Sequence, residues 1–593
     1  MAAPEHPTWS NYITALMTTP YWIEPPAKRE QVGGIWIEKM KEYNVDLSSY
    51  ASVKEYAVTI YYHLTSRSMP LTDDQTQFWP QQALDAFRLW VNEGLRETDS
   101  DPIVPSDAIP IAPRPVEAPL RIRRDILTLT ELELNIYRAK LDDVLRVKDL
   151  HSPWQYLCLV HSDWCLHYQE AFLPWHRVHV AYVESLIDLP IPYWNFFAAD
   201  SATYGHPSSG IPQAFLDDTY THPTTGEQRP NPLKYALAKD GLSKNGISPY
   251  PVRDPLLADP KAGTKDQRSD KVKMTELFLR QISDALAFPV FSHPQGAVGY
   301  PWANIAVFDP PQRDCDYPYR GVNFDGLFEQ PHDNYHGWIG PDMADNAYTA
   351  FDPIFWSYHA NVDRIFEIWR KAHLDAKYSS QFPLRPFVGN GRDIRIDMEE
   401  PRSWAFTSIG DVARDSKVLG YAFGEPKYPD YGYATTRIPH ASSGTTNNLP
   451  LGVVPGADEE DAVPYIVFDK IGCTMDSFSI DVFLVPEGST FSLTTSQDDT
   501  SSFTPNNPHY VGRMMRLGMG TSTNSDRCIR GRGITRVLNG QRCAQALGLK
   551  EGSDVKLVQL VRNVADGNIV DETEWKKWDG FEGEIVWGMP MGA

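Results

Sequence analysis

Histidine is the residue type whose spacing carries chemistry in this chain. His332 and His336 lie four positions apart in EQPHDNYHGW. On a helix, this spacing puts both imidazoles on one face about one turn apart, close enough to share a metal ion. Surface helices produce the same spacing by chance, so the pair needs further histidines nearby before it indicates a metal site.

A third histidine follows on the next predicted helix, in FDPIFWSYHANVDRIFEIW. Asp352 can cap the N-terminus of this helix, and Pro353 suits its first position. His359 lies one turn after Phe355 and therefore beside the apolar face of the segment. A histidine in such a place is either a metal ligand or a hydrogen-bonded core residue, and the helix alone leaves both interpretations open.

An earlier cluster, in HSDWCLHYQEAFLPWHR, contains His161, His167 and His176. His167 and His176 are separated by nine positions, about 2.5 turns, so they would point in opposite directions on one helix. Pro174 breaks an incoming helix and can start a new one, which predicts His176 in the first turn of a helix that continues to Val183. His167 is then expected to approach from the preceding segment.

The two clusters offer imidazole nitrogens and no obvious set of carboxylates or thiolates. Imidazole suits copper, zinc, iron and nickel, whereas magnesium, calcium and manganese prefer oxygen, and structural zinc usually recruits cysteine. Two all-histidine triads on separate helix pairs therefore favour copper. The alternative is a dinuclear zinc hydrolase, which predicts bridging carboxylates among the ligands.

Several elements must position these histidines. Thr130 followed by Glu133 is a capping-box pattern that predicts a helix start. Residues 207–269 are rich in Pro, Gly, Asn and Asp, which predicts a long surface excursion between two helical sections. From Phe478 to Leu484, apolar residues alternate with more polar ones, so the end of the chain is predicted to be a small antiparallel β unit.

The length of 593 residues predicts more than one folded unit, because single cores rarely grow that large. A proline-rich run before residue 120 and a polar, glycine- and serine-rich stretch after residue 440 mark the boundaries. The predicted domains are an N-terminal accessory segment (1–120), a helical histidine domain (121–440), a linker (441–461) and a C-terminal β domain (462–593).

The composition argues against several classes of function. A net charge of −22 would repel nucleic acid and acidic membrane surfaces. Neither a transmembrane helix nor a signal peptide is predicted, since no long apolar run and no basic start with an apolar stretch occur. Six cysteines without a CxxC pair predict a reducing, intracellular setting and do not describe a disulfide framework. Four are interpreted as buried free thiols: Cys315, Cys473, Cys528 and Cys543.

Taken in order, these motifs resemble the superfamily of tyrosinases, catechol oxidases and hemocyanins. The resemblance runs from IRRDILTLTELE at Ile122, through FLPWHR and the PYW that begins at Pro192, to LGYAF around Tyr421. It implies a mainly α fold with long loops, in which a central four-helix bundle holds two copper ions. The C-terminal β unit is similar to that of long fungal tyrosinases, which implies a β-sandwich-like domain that shields the active site of a latent proenzyme.

The resemblance also implies a ligand set. The CuA ligands are His161, His167 and His176, and the CuB ligands are His332, His336 and His359. His151 is an alternative to His161, because the family varies in the distance between its first two CuA ligands. Cys165 resembles the cysteine that forms a thioether with the second CuA histidine; the alternative is an ordinary thiol.

Further roles follow from the same resemblance. Glu329 resembles the family's water-holding glutamate, a base for phenol deprotonation, and Asp333 stands where the family usually has asparagine. Phe355 corresponds to the aromatic residue that lies over CuA and shapes substrate entry, although core packing explains it equally well. Phe491 and Phe503 are candidates for the placeholder side chain that the C-terminal domain inserts into the site. Cleavage of the linker is then expected to raise activity.

The implied function is oxidation of o-diphenols or o-aminophenols to quinone-type products with dioxygen as co-substrate. Hydroxylation of monophenols stays open because of Asp333. The alternative is a hemocyanin-like oxygen carrier, which uses the same ligands but obstructs access of phenols. We favour the enzyme, since carriers usually work in large secreted assemblies and no secretion signal is predicted.

Overall fold

The computed structural model describes most of the chain as two compact units. The described residues are 3–41, 45–65, 70, 75–105, 120–168, 171–288, 291, 324–374, 376, 378, 384, 409–433, 462–472, 474–493, 500–518 and 534–588. Unit 1 comprises Met1–Val116, Ala297–Tyr317 and Tyr378–Arg414, and unit 2 comprises Glu117–Gly296, Pro318–Lys377 and Asp415–Ala593. The predicted linker and three of the cysteines, Cys315, Cys473 and Cys528, lie outside the described residues.

Helices dominate the part of the chain before the predicted linker, and strands dominate the part after it. The helices are α1 (Thr14–Thr18), α2 (Arg29–Lys41), α3 (Tyr50–Thr65), α4 (Gln81–Asn92), α5 (Glu131–Leu145), α6 (Pro153–Trp164), α7 (Phe172–Ile187), α8 (Pro232–Tyr235), α9 (Pro255–Ala258), α10 (Lys265–Lys273), α11 (Thr275–Leu286), α12 (Phe324–Ile339), α13 (Ile354–Ala372), α14 (Ile409–Val412), α15 (Gln541–Leu547) and α16 (Glu572–Trp575). The strands are β1 (Arg121–Arg123), β2 (Thr219–Thr221), β3 (Gln228–Pro230), β4 (Tyr421–Phe423), β5 (Val463–Ile471), β6 (Phe478–Pro486), β7 (Tyr510–Arg516), β8 (Ile534–Asn539), β9 (Val555–Asn563) and β10 (Glu584–Gly588). None of the described helices is long and apolar enough to cross a bilayer.

Unit 1 has its own tryptophan-rich core. Trp9, Trp36, Trp79 and Trp90 are all buried among the side chains of α1–α4. Large aromatic side chains bury much apolar area each, so a short helical segment can form a core around them.

The helices of unit 2 begin where the sequence supplies caps. At α5, Thr130 and Glu133 form the predicted capping box, which confirms that start. At α13, the Asp352 carboxylate accepts the Ile354 N–H at 3.1 Å. Helix α7 begins at Phe172, two residues before the predicted start at Pro174. The earlier start is tolerated because N–H groups of a first turn have no intrahelical acceptor, so proline loses nothing there.

A buried charge cluster joins α7, α13, β1 and β4. The carboxylate of Asp363 accepts from Arg177 Nε at 2.5 Å, from Arg123 Nη1 at 2.6 Å and from the Tyr421 hydroxyl at 2.5 Å. Arg123 also forms a bidentate pair with Glu184 on α7. Because every member is at least 97% buried, these bonds hold the two helices in one geometry.

The C-terminal strands form two three-stranded antiparallel sheets, as predicted. Their strand orders are β10-β5-β8 and β7-β6-β9. Inward side chains from both sheets share one apolar core, including Phe468, Ile480, Val511 and Val561. This packing is the sandwich-like arrangement expected for the C-terminal region. We call residues 462–588 the β unit.

The β unit packs directly on helix α12. The Gln330 side-chain amide exchanges hydrogen bonds with the Val537 backbone, at 3.2 and 3.3 Å. Asn334 donates to the Arg513 carbonyl at 2.8 Å. A Cβ added at Gly337 would lie 2.2 Å from the sulfur of Met515, so a larger residue here would force the Met515 side chain to move. These α12 positions share one helix face, opposite the face that carries the two histidines of this helix.

Candidate metal centre

The structure brings six histidines of unit 2 into two adjacent groups. Each member is at least 97% buried, and the ligand nitrogens within each group lie within 4.8 Å of one another. The first group is His161 on α6, His167 in the segment after α6, and His176 on α7; the second is His332 and His336 on α12, and His359 on α13. The rings of His176 and His359 stack across the two groups with centroids 4.4 Å apart.

In the first group, backbone carbonyls orient two of the rings. His161 Nδ1 lies 3.0 Å from the Asn346 carbonyl, and His176 Nδ1 lies 2.8 Å from the Phe172 carbonyl. A carbonyl only accepts, so each Nδ1 carries the proton and each Nε2 presents a lone pair. These two Nε2 atoms face each other at 3.3 Å.

His167 completes this group from a strained segment. Its Nδ1 lies 3.3 Å from the Glu329 carboxylate, while its Nε2 is buried with no hydrogen-bond partner. Tyr168, the next residue, adopts a left-handed φ of 60°, which is costly for a bulky side chain. The Tyr168 N–H donates to Glu329 at 2.7 Å, so the same carboxylate fixes this backbone and the His167 ring.

In the second group, the Nε2 atoms also lie close together, and two of the rings are again oriented through Nδ1. His332 Nε2 lies 3.0 Å from His336 Nε2 and 3.5 Å from His359 Nε2. His336 Nδ1 faces the Met343 carbonyl at 2.7 Å, and His332 Nδ1 faces the Asp333 carboxylate at 3.0 Å. The Nε2 lone pairs of this group therefore converge on one point, as those of metal-binding imidazoles do.

Burial keeps most of these imidazoles neutral, which is the form that binds metals. It lowers the pKa of His336 to about 3, and it holds the pKa values of His161, His176, His332 and His359 well below their ordinary range. For His167, burial also acts to lower the pKa, but neighbouring Cys165 and Glu329 outweigh it and raise the value to about 9. A metal at the first group must therefore displace a proton from this ring.

The donor set fits two copper ions. All six convergent ligands are imidazoles, a set that copper accepts and that oxygen-preferring metals do not. The fully buried Nε2 of His167 has no hydrogen-bond partner, and binding of a metal after loss of the ring proton would satisfy it, since burial without a partner is otherwise costly. His167, His332 and Asp333 also lie within 4.8 Å of one another, which places the two groups side by side.

The two predicted acidic residues, Glu329 and Asp333, contact histidines of the two groups, and each has 2% or less of its surface exposed. Glu329 Oε2 accepts from Arg536 Nη2 at 3.1 Å, besides the contacts of its other oxygen. Asp333 bonds His332 through one oxygen, and its other oxygen has no hydrogen-bond partner. Burial and the neighbouring Glu329 raise the pKa of Asp333 well above its usual range.

Phe355 lies against both groups, with its ring centroid 4.2 Å from that of His359 and 4.8 Å from that of His161. Cys165 is buried and lies within hydrogen-bonding reach of His167, and its thioether to that ring stays a prediction. His151 is exposed on the turn before α6, outside both groups, so His161 is the histidine that the fold offers to the first group.

The structure does not bring the two placeholder candidates to the histidines. Phe491 packs on Phe483 and His509, and Phe503 packs on Phe483 and Tyr510, all within the β unit. Other β-unit residues approach the centre instead. The Leu517 N–H donates to the Tyr168 hydroxyl at 2.9 Å, and the Arg516 guanidinium lies 3.8 Å from the centroid of the same ring.

Sequence reasoning missed several residues that orient the histidines. The carbonyls of Asn346, Phe172 and Met343 act through the backbone, so their side-chain types carry no signal. Arg536 is 207 positions from Glu329, and nothing in the spacing of the motifs links them.

Two adjacent all-histidine groups, carried mainly by helices and with five of the six rings anchored through Nδ1, are typical of the type-3 copper class. Residues 142–372 match the tyrosinase family, described as the common central domain of tyrosinase. The chain therefore carries a tyrosinase-family central domain, which confirms the resemblance drawn from its histidine motifs.

Curated relatives include both oxygen carriers and oxidases. The chain is 28% identical over 244 residues to hemocyanin 2 of Megathura crenulata, covering 38% of this chain and 6% of the relative. It is 30% identical over 126 residues to polyphenol oxidase 2 of Agaricus bisporus, covering 17% of this chain and 19% of the relative. A solved structure of deoxygenated hemocyanin from Rapana thomasiana aligns at a TM-score of 0.49 and 15% identity, covering 80% of this chain and all of that one. The chain spans less than half the length of the curated relatives named here.

Proposed function

We propose that the protein is a dicopper oxidase that uses dioxygen to oxidise o-diphenols or o-aminophenols to quinone-type products. The observation that carries the proposal is the pair of buried imidazole groups, in which the rings of His176 and His359 stack 4.4 Å apart across the two groups. Two copper ions held there supply the paired electron transfer that reduction of dioxygen needs. Each diphenol loses two electrons and two protons, so two diphenols reduce one dioxygen to two waters.

The residues around the histidines have separable tasks in this proposal. Phe355 offers an aromatic face beside both groups, on which a phenol ring can stack. Glu329 is the base that receives the phenol proton, since its carboxylate is buried next to the first group. Asp333 bonds His332 and therefore supports the ring rather than a water molecule. Catechol oxidation thus has more support than monophenol hydroxylation.

An oxygen carrier is the second candidate, because hemocyanins are among the relatives. In the deciding assay, full-length protein is loaded with copper, and oxygen consumption is measured with a monophenol and with the corresponding diphenol. Catalytic consumption with a diphenol supports the oxidase. Reversible oxygen uptake without turnover would establish the carrier and refute the enzyme. A His176→Ala, His359→Ala double variant is the control for activity of free copper.

We further propose that the β unit limits access to the centre, so that the full-length chain is a latent form. The contacts of Leu517 and Arg516 with Tyr168 support this, since they lie next to the first group. Full-length and linker-cleaved protein are compared in the same assay. Higher turnover per copper after cleavage and removal of the β unit is expected, and equal turnover contradicts latency.

We also propose a reducing, intracellular setting, in line with the buried free thiols of Cys158 and Cys543.

A further inference from the structure

Arg536 extends from the β unit to the two buried carboxylates beside the metal centre, Glu329 and Asp333. It lies on β8 with 3% of its surface exposed. Its guanidinium donates from Nη2 to the Glu329 carboxylate at 3.1 Å and from Nη1 to the Gly326 carbonyl at 3.1 Å. The same Nη2 lies 3.9 Å from the partnerless oxygen of Asp333. One cation thus adjoins both buried carboxylates of the centre.

Those two carboxylates serve different histidine groups. Glu329 contacts Nδ1 of His167, in the first group, and Asp333 contacts Nδ1 of His332, in the second. Such a contact sets the orientation and donor strength of a ligating imidazole, and its loss typically weakens metal binding about 10- to 100-fold. Glu329 also holds the Tyr168 N–H, so it restrains the backbone beside His167 as well.

Two buried carboxyl groups close to one guanidinium disfavour each other's charge, and the neighbouring cation lowers the cost of that charge. Their position on α12 is set by the interface with the β unit, through Gln330 and Asn334. That interface fixes the distance from β8 to α12, so the guanidinium is presented in one place. If the arginine were absent, Glu329 would lose the one cation that pairs with it among the described residues, apart from the imidazole, and its side chain would be held less firmly against His167.

We propose that Arg536 is a positioning residue of the metal centre, which holds Glu329 and Asp333 against His167 and His332. The β unit then has a second task besides the proposed limitation of access, since it supplies the guanidinium that pairs with Glu329 on α12. The inference rests on the proposed copper site, but not on phenol turnover. An oxygen carrier with the same ligands would need Arg536 equally.

The test measures the affinity of the full-length protein for Cu(I) by competition with a chelator. Arg536→Gln is expected to weaken copper binding about 10-fold or more, by loosening the carboxylates that orient the ligands. The double variant Arg536→Gln, Glu329→Gln is expected to recover most of the affinity. Glutamine keeps an oxygen that accepts from His167 and Tyr168, and it removes the charge that Arg536 would have paired.

Arg513→Gln is the matched control. Arg513 lies on β7 and pairs with Asp481 of the β unit through two bonds of 2.8 Å. Its loss removes a buried ion pair from the β unit without touching Glu329, so copper affinity is expected to stay at the wild-type value. Thermal unfolding of the copper-free variants shows whether the two substitutions destabilise the fold to a similar extent.

Three results overturn the proposal. They are unchanged copper affinity in Arg536→Gln, an equal loss of affinity in Arg513→Gln, and no recovery in the double variant. If Arg536→Gln does not fold, Arg536→Lys decides the question, because lysine keeps the charge but not the paired donors. The lysine variant should then bind copper less tightly than wild type, and equal binding contradicts a positioning role. Phenol turnover is assayed separately, so failure of the oxidase proposal is recognised independently.

Discussion

Substitution of Asp363 by asparagine should strongly destabilise unit 2. The carboxylate accepts three short bonds, from Arg123, Arg177 and Tyr421, and none of these groups reaches water. Removal of one partner from a buried ion pair costs about 3–5 kcal/mol, because the remaining charge stays buried without compensation. Both arginines keep a second acidic partner, Glu184 or Glu367, so the loss is expected near the lower limit.

The assay is urea-induced unfolding of copper-free protein, followed by tryptophan fluorescence and compared at the transition of unit 2. Asp188→Asn is the control, since Asp188 pairs with Arg121 on the surface and its side chain is 82% exposed. The control should unfold like wild type, because exposed ion pairs contribute little. A loss below about 1 kcal/mol for Asp363→Asn, well under the range for buried pairs, would refute the structural role assigned to the cluster.

Three further predictions concern the metal centre and the pH dependence of stability. His176→Ala and His359→Ala should each bind at most one copper per chain, and elemental analysis that finds two would contradict the ligand assignment. If Cys165 and His167 form a thioether, the peptide that contains both is lighter by two hydrogens after copper loading, which mass spectrometry detects; an unchanged mass rules the bond out. Burial raises the pKa of Asp342 to about 7, so the folded chain binds more protons than the unfolded chain between the ordinary carboxyl range and neutral pH. Although the buried neutral histidines contribute the opposite slope whether or not Asp342 is present, the contribution of Asp342 to stability should therefore fall as pH rises from 5 to 7, by at most about 1.4 kcal/mol per pH unit, and level off above pH 7. Asp342→Asn should remove that slope, and parallel melting-temperature profiles for the two proteins would contradict the assignment.

The histidine groups could be predicted from sequence because their geometry is local. A four-residue spacing sets His332 and His336 on one face of a helix whatever surrounds it, and Pro174 separates His176 from His167 by chain direction alone. The alternation from Phe478 to Leu484 likewise reports a strand without knowledge of its partners. These features depend on backbone periodicity, which the order of residues encodes directly.

The remainder of the centre depends on contacts between distant segments. Asp333 could be recognised as unusual, but its bond to His332 follows from side-chain rotamers in the folded core. The positions of Phe491 and Phe503 depend on the register of β6 and β7, which pattern alone does not give. The contact of Arg536 with Glu329 could not be predicted for the same reason, since an arginine on a strand has many possible partners.

The separation between Arg536 and Glu329 also has a consequence for the order in which the centre matures. On the ribosome, Glu329 on α12 is made 207 residues before Arg536, the cation that pairs with it. At about 5–20 residues per second, this delay is roughly 10–40 s. Throughout that interval, the nascent chain has Glu329 and Asp333 but not Arg536. If Arg536 positions the two carboxylates as proposed, tight copper binding is expected only after the last strands have been translated and docked.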